Sequence, residues 1–341
     1  MSTTLLGPES GLPLDRPFAR SEALARIPQR RLAALVRDGL VVSPLPGVMY
    51  VAGLADGLEL RIACAKLVVP ADAVITDRTA GWLHMAPMVL APGDHLRVPA
   101  VDVFRPTGNR VRRDGMRSGE RTLERDEVVA IDGLRVTSKL RTTCDLGMQL
   151  PRRPAFAAMC AMMKVADFTS ADIRRQADTR FKGYRWVTQL RGLAPIVHDG
   201  FDSPGECALG LCWHEGDLPP FVCQYQVAGP DGPCFLDLAV PELRYAAEYD
   251  GAEWHRPEQS AHDDRRRDFL RSERGWIIDV VRDHHVSGPA PVAGAMLRAG
   301  IERARRRLGR FAWTGQDRYP GATMIARSTP YTVMPGRQGK A

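Results

Sequence analysis

The stretch FLDLAVPELRYAAEYDGAEWH, residues 235–255, sets three carboxylates, Asp237, Glu248 and Asp250, into a pattern that is otherwise apolar. The alternation around PELR reads as a β-hairpin. A turn centred between Glu242 and Leu243 places Asp237 opposite Glu248. Side chains alternate faces, so Asp237 and Ala239 share one with Ala246, Glu248 and Asp250. Leu236, Leu238, Val240, Tyr245, Ala247 and Tyr249 then form a core face. Strand interiors disfavour carboxylates, and like charges directly opposite destabilise a pair. A bound Mg²⁺ or Mn²⁺ turns that repulsion into coordination, because hard divalent cations take carboxylate oxygens.

Three neighbouring segments supply further candidates. Glu206, in DSPGEC, fits the third position of a helix capped by Ser203 with Pro204 first. It is therefore either a cap residue or a further cation ligand. His255 follows the acidic strand and could reach a phosphate or a water. Arg265, Arg266 and Arg267 follow Asp264 on a charged helix. They suit either a salt-bridged face or contact with a DNA backbone, since guanidinium groups match phosphate.

These groups need elements to position them. In residues 18–52, FARSEALA reads as a helix, RIP as a turn, and QRRLAALVRDG as a second helix with Leu32, Leu35 and Val36 on its apolar side. LVVSPLPGVMYVAG then reads as a two-stranded wing. This is the order of a winged helix, whose second helix enters the major groove. Gln29, Arg30, Arg31 and Arg37 become the candidate DNA contacts. Residues 57–199 read as a mixed α/β region ending in helices, residues 200–312 as a separate domain, and 313–341 as a flexible tail rich in Gly, Pro and Arg. His84 lies in an apolar helical context and is expected to be structural.

Composition bounds the function. A chain of 341 residues with 44% apolar and 26% charged residues is an ordinary multidomain globular protein. No apolar run is long enough to span a membrane, and the N-terminus lacks a signal-peptide pattern. Seven scattered cysteines without a CxxC pair argue for a reducing cytoplasm. The net charge of +7, carried mostly by Arg, favours a polyanionic partner.

Residues 203–283 resemble the Vsr-like endonuclease-related domains (DUF559) of the PD-(D/E)XK superfamily. The likeness rests on S-P-x-E at 203–206, Asp237, E-Y-D-G at 248–251, His255, D-x-x-R-D at 264–268, and Gly275-Trp276. Upstream, LVRDGLVVSPLPGVMYVAG, AVITDRTAGWLHM and GLRVTSKLRTTCDL are similar to AbiEi-type antitoxin N-terminal regions, a looser match. The resemblance implies a four- or five-stranded mixed sheet flanked by helices. It also implies that Glu206, Asp237 and Glu248 bind Mg²⁺ for in-line attack of water on a phosphodiester. Where the superfamily usually has a catalytic Lys, position 250 is Asp. The Vsr-like branch also lacks that Lys and uses His, which makes His255 the substitute.

The expected fold class is thus α+β: a winged helix, a mixed middle region and a restriction-endonuclease-like sheet. The expected function is metal-dependent DNA endonuclease, with a homodimer as the candidate assembly. The alternative is an antitoxin-like transcriptional regulator with an inactive nuclease-like domain and a toxin partner. A two-domain adaptor with a basic surface is the third option.

Overall fold

The computed structural model of the chain describes residues 6–89, 98–105, 110–251, 257–287 and 291–313, with backbone alone at 257–262 and 310–313. The expected tail lies outside the described residues beyond Trp313. The content is mixed helix and strand, an α+β fold, and the chain divides into two compact units, Met1–Val197 and His198–Ala341.

The first unit begins with β1 (Phe18–Ala19), α1 (Arg20–Leu24), α2 (Gln29–Arg37), β2 (Val41–Leu45) and β3 (Val48–Val51). Strands β1 and β2 both pair antiparallel with β3. Gly39 beyond α2 and Gly47 between β2 and β3 have φ of +72° and +78°, values that glycine reaches without strain. Leu32 seats α2 against Phe18, Ala23, Ile27, Val41 and Met49. Val36, expected on the same stripe, is exposed. The core-facing stripe of this nine-residue helix is narrow and runs through Leu32 and half-buried Leu35.

The same unit continues with α3 (Leu58–Lys66), β4 (Val74–Ile75), α4 (Asp77–Leu83), β5 (Val101–Arg105), β6 (Met116–Glu120), β7 (Val128–Ile131) and β8 (Leu134–Thr137). Strands β4 to β8 form one sheet in the order β6-β5-β4-β8-β7. Helices α5 (Lys139–Gln149), α6 (Arg152–Met163), α7 (Ser170–Asp178) and α8 (Val187–Leu193) follow. The Met-rich stripe of α6 is core, with Met159 and Met162 fully buried. His84 Nε2 lies 2.7 Å from the Thr137 carbonyl oxygen, a structural contact between α4 and β8.

A chain of ion pairs runs through this unit. Arg117 Nε meets Asp102 at 2.7 Å, and its Nη2 meets Asp77 at 3.4 Å. Arg121 Nη1 bridges Asp77 at 2.7 Å and Asp145 at 3.0 Å. Arg141 joins Asp145, at 2.9 Å, to Glu127, and Arg180 reaches Glu127 at 3.0 Å. Each of these four buried acids is matched by at least one guanidinium, which compensates its desolvation.

The second unit contains α9 (Pro204–Glu215), β9 (Val222–Ala228), β10 (Pro233–Val240), β11 (Tyr245–Asp250), α10 (Pro257–Ser272), β12 (Ile277–Arg282), α11 (Asp283–Val286) and α12 (Ala293–Trp313). Its four-stranded sheet has the order β12-β11-β10-β9. Strands β9, β10 and β11 are antiparallel neighbours, and β12 runs parallel to β11. A parallel neighbour needs a crossover rather than a tight turn, and α10 lies in that connection. Leu270 of α10 packs in one cluster with Ala239, Ala246, Trp276 and Ile278. Tyr245 points the other way, its ring 5.9 Å from that of Trp213 on α9. A Cβ at Gly300 of α12 would meet that same tyrosine at 2.4 Å, so the helix sits close because residue 300 is glycine.

Candidate functional site

The hairpin that carries the acids turns through Pro241–Leu243, with Arg244 at φ +48°. Its paired rungs are Leu238 with Ala247, Ala239 with Ala246, and Val240 with Tyr245. One more rung in this register brings Asp237 beside Glu248. The backbone ladder stops there, and the Asp237 side chain takes over: its Oδ2 accepts from the Tyr249 N–H at 2.8 Å. On the opposite side, Asp237 and Gln224 are likewise skipped in the pairing of β10 with β9, and Gln224 has φ +49°. Strand irregularities of this kind bend the ladder and re-aim side chains. They also break the strict alternation, for Leu236 joins the cluster of Ala239 and Ala246 instead of the opposite face.

Helix α9 brings in Glu206. Ser203 caps the helix, its Oγ accepting from the Glu206 N–H at 3.1 Å, and Pro204 occupies the first turn. The Glu206 carboxylate reaches back to the Asp202 N–H at 2.8 Å and accepts from Gln224 Nε2 at 2.9 Å. Glu206 thus serves the helix start and faces the sheet at once. Gly205 permits the approach: a Cβ there would lie 2.0 Å from the Tyr249 ring. Gln224 is a site residue that pattern reading missed. Nothing in VCQYQVA distinguishes it from an ordinary outward strand residue, because its role arises from the positive φ.

The electrostatics follow from this convergence. Burial first, then the charges of Glu206 and Glu248, push the Asp237 carboxyl well above the usual carboxylate range. Burial likewise raises Glu206, opposed by its hydrogen bonds from Asp202 and Ser203. The register agrees: Glu248 lies one rung beyond the last pair of β10 and β11, and Glu206 accepts from Gln224, the residue skipped opposite Asp237 on β9. Asp237 itself remains half-buried.

Glu248 is treated differently. It is 2% exposed, and α10 supplies its partners. Arg266 Nη2 donates to both Glu248 oxygens at 2.9 Å, and Arg267 Nε donates to Oε2 at 2.8 Å. Arg267 also reaches Asp264 at 3.5 Å, whereas Arg265 is exposed. Asp250, at the end of β11, pairs with Arg282 of β12 at 3.3 Å. His255 lies outside the described residues. In the first unit, Gln29, Arg30, Arg31 and Arg37 are all exposed on α2, and Arg37 pairs with Asp38 at 3.1 Å.

Carboxylates with oxygens left over suit a hard divalent cation, and the bond on Asp237 uses only Oδ2. Placement is a separate matter. Among the described residues no set of three or more His, Cys, Asp or Glu is positioned to hold a metal ion. The expected third ligand, Glu248, has both oxygens on arginines. The carboxylate chemistry suits a cation, but as placed these residues do not form a site for one, because guanidinium groups occupy the third carboxylate.

No helix among the described residues is long and apolar enough to cross a membrane. No protein-family model and no solved structure matches the chain. It is similar to the uncharacterized protein Rv2248 of Mycobacterium tuberculosis strain H37Rv, 28% identical over 279 residues, which span 81% of this chain and 98% of that protein. The uncharacterized protein MT2308 of strain CDC 1551 / Oshkosh matches to the same extent.

Proposed function

We propose that this protein is a metal-dependent DNA endonuclease whose second unit hydrolyses phosphodiester bonds and whose α2 surface positions DNA. The observation that carries the reading is geometric: Asp237 stands beside Glu248 at a broken rung of a mixed sheet, and Glu206 is held by Gln224, the residue opposite Asp237 on β9. Clustered carboxylates that strain one another are the usual cost of a cation site. Glu206 and Asp237, with Glu248 once its arginines move, would hold Mg²⁺ or Mn²⁺. When bound, the cation supplies Lewis-acid charge to the scissile phosphate. Gln224 and the Asp202 N–H orient Glu206, and the Tyr249 N–H orients Asp237. Arg265, Arg266 and Arg267 supply phosphate contacts from α10. Asp250 and His255 are the remaining candidates for handling protons. Seven free cysteines, six of them buried, suit a reducing cytoplasm, and a homodimer suits cutting of both strands.

The test is incubation of the full chain with supercoiled plasmid, with and without Mg²⁺ or Mn²⁺. Nicking that requires the cation and falls at least a hundredfold in Glu248→Ala is expected. No nicking with either ion, or undiminished nicking by the variant, contradicts the reading.

One observation favours a second reading, an antitoxin-like DNA-binding regulator with a toxin partner: both Glu248 oxygens are occupied by arginines. It places function in exposed Arg30 and Arg31 alone. A footprint on DNA that needs no metal and is erased by the double charge reversal Arg30→Glu/Arg31→Glu, from a chain that never nicks, selects it.

A further inference from the structure

The loop that leads into α8 exposes aromatic rings that the core does not use. Tyr184 is 42% exposed and Trp186 57%, while Phe181 and Val187 on either side of them are buried. Both rings are held in place. Tyr184 stands edge-on to Phe181 with centroids 5.4 Å apart, and its hydroxyl accepts from Arg180 Nη1 at 3.0 Å. Trp186 has φ +67°, a left-handed backbone that bulky residues adopt at a cost in free energy. Its carbonyl accepts from the Gln189 and Leu190 N–H groups at 3.0 and 3.3 Å, which fixes that backbone at the start of α8. Arg185 lies over the indole, 4.8 Å from the ring centroid. Glycine would relieve the strain at position 186 and leave the turn intact. A large ring kept there and left exposed gains nothing for the core, and strain of this kind gathers at binding sites.

Charge names the partner. From Thr179 to Val197 the chain has four cations, Arg180, Lys182, Arg185 and Arg191, and no Asp or Glu. Arg180 and Arg191 are paired with Glu127 and Asp178. Lys182 and Arg185 are exposed on the same loop as the two rings. Aromatic faces interleaved with cations suit a single strand of nucleic acid: bases stack on the rings whatever their sequence, and phosphates meet the cations. In a duplex the base faces are already stacked on one another. We propose that Tyr184 and Trp186, with Lys182 and Arg185, form a stacking platform for single-stranded nucleic acid on the first unit. The platform needs neither a metal nor cleavage, so it stands or falls apart from the endonuclease reading.

The experiment follows the fluorescence anisotropy of labelled oligothymidylate and oligouridylate, each of about 12 nucleotides, on the full chain in EDTA. A labelled DNA hairpin is the duplex control. The wild type should bind at least one of the two strands. Trp186→Gly, whose new residue suits the backbone, should keep its unfolding temperature and bind the preferred strand about tenfold more weakly. Trp186→Phe, which keeps a π-face, should stay close to the wild type. Hairpin affinity should be the same in the wild type and Trp186→Gly. Lys182→Ala/Arg185→Ala should lower the slope of log affinity against log salt by about 1.4, for two phosphates at about 0.7 each. No binding of either strand by the wild type, or equal binding by the wild type and Trp186→Gly, overturns the proposal. An equal loss on the hairpin does so too. Should Trp186→Gly unfold, an unchanged salt slope in the double variant overturns it instead. Vesicles of phosphatidylcholine and phosphatidylserine that sediment the wild type but not Trp186→Gly, with neither strand bound, assign the loop to a membrane surface and likewise overturn it.

Discussion

In the first unit, Asp102, Asp77, Asp145 and Glu127 alternate with Arg117, Arg121, Arg141 and Arg180, and no buried carboxylate of that series lacks a guanidinium. In the second unit, two guanidinium groups converge on Glu248, while Asp237 and Glu206 are held by N–H groups. Both regions bury acids, but only the acids of the first series each have a guanidinium in an ion pair, although burial still raises Asp102, to about 6, and Asp145 there. Matched charges of alternating sign compensate each other's desolvation and tie helices to strands, which is scaffolding. A cluster of carboxylates short of guanidinium partners is what the proposed cation site would use. Counting partners, rather than counting acids, separates the two.

That contrast can be broken most forcefully in the first unit. Arg141→Met leaves Asp145 and Glu127 each short of a partner in a buried setting and should destabilise the unit by about 3–5 kcal/mol. Urea unfolding followed by circular dichroism measures it. A loss under 1 kcal/mol would mean that the ion-pair chain is not scaffolding.

The second unit should respond with the opposite sign. Asp237→Asn keeps an oxygen for the Tyr249 N–H and removes the strained charge. Because its folded pKa is raised, Asp237 holds its proton to higher pH in the folded chain than in the unfolded one. Its penalty is absent below the unfolded pKa of about 3.9 and grows as pH rises toward the folded value. Asp237→Asn should therefore stabilise by about 1–2 kcal/mol at pH 8, the usual gain on relieving a strained site, and by nothing near pH 4. Thermal unfolding at the two pH values reads it. Destabilisation at pH 8 would place Asp237 with the balanced acids.

The smallest expected effect concerns what holds Glu206. Ser203→Ala removes the hydroxyl that accepts from the Glu206 N–H and should cost about 1 kcal/mol. Glu206 keeps its bonds to Asp202 and Gln224, so Mn²⁺ affinity should change less than threefold. A large loss of affinity would make the cap, rather than Gln224, the element that orients the carboxylate.

Much of this was legible before the fold. The register of the hairpin followed from alternation around PELR, and the start of α9 from Ser203, Pro204 and Glu206, because both depend on local rules. The helix, turn, helix and hairpin order of α1 to β3 was local too. What stayed hidden depends on tertiary placement. Adjacent arginines on a helix diverge by about 100°, and spacing alone did not bring Arg266 and Arg267 to one carboxylate on a separate strand. The left-handed residue at Gln224 had no glycine to announce it. The ion-pair chain of the first unit joins positions from 77 to 180, too far apart for any motif.

The proposed cation site is tested most directly by titrating Mn²⁺ into the full chain and into Asp237→Asn. One saturable site in the wild type, weakened at least tenfold in the variant, is the predicted result. No saturable site in the wild type, or equal affinity in both, would contradict the account.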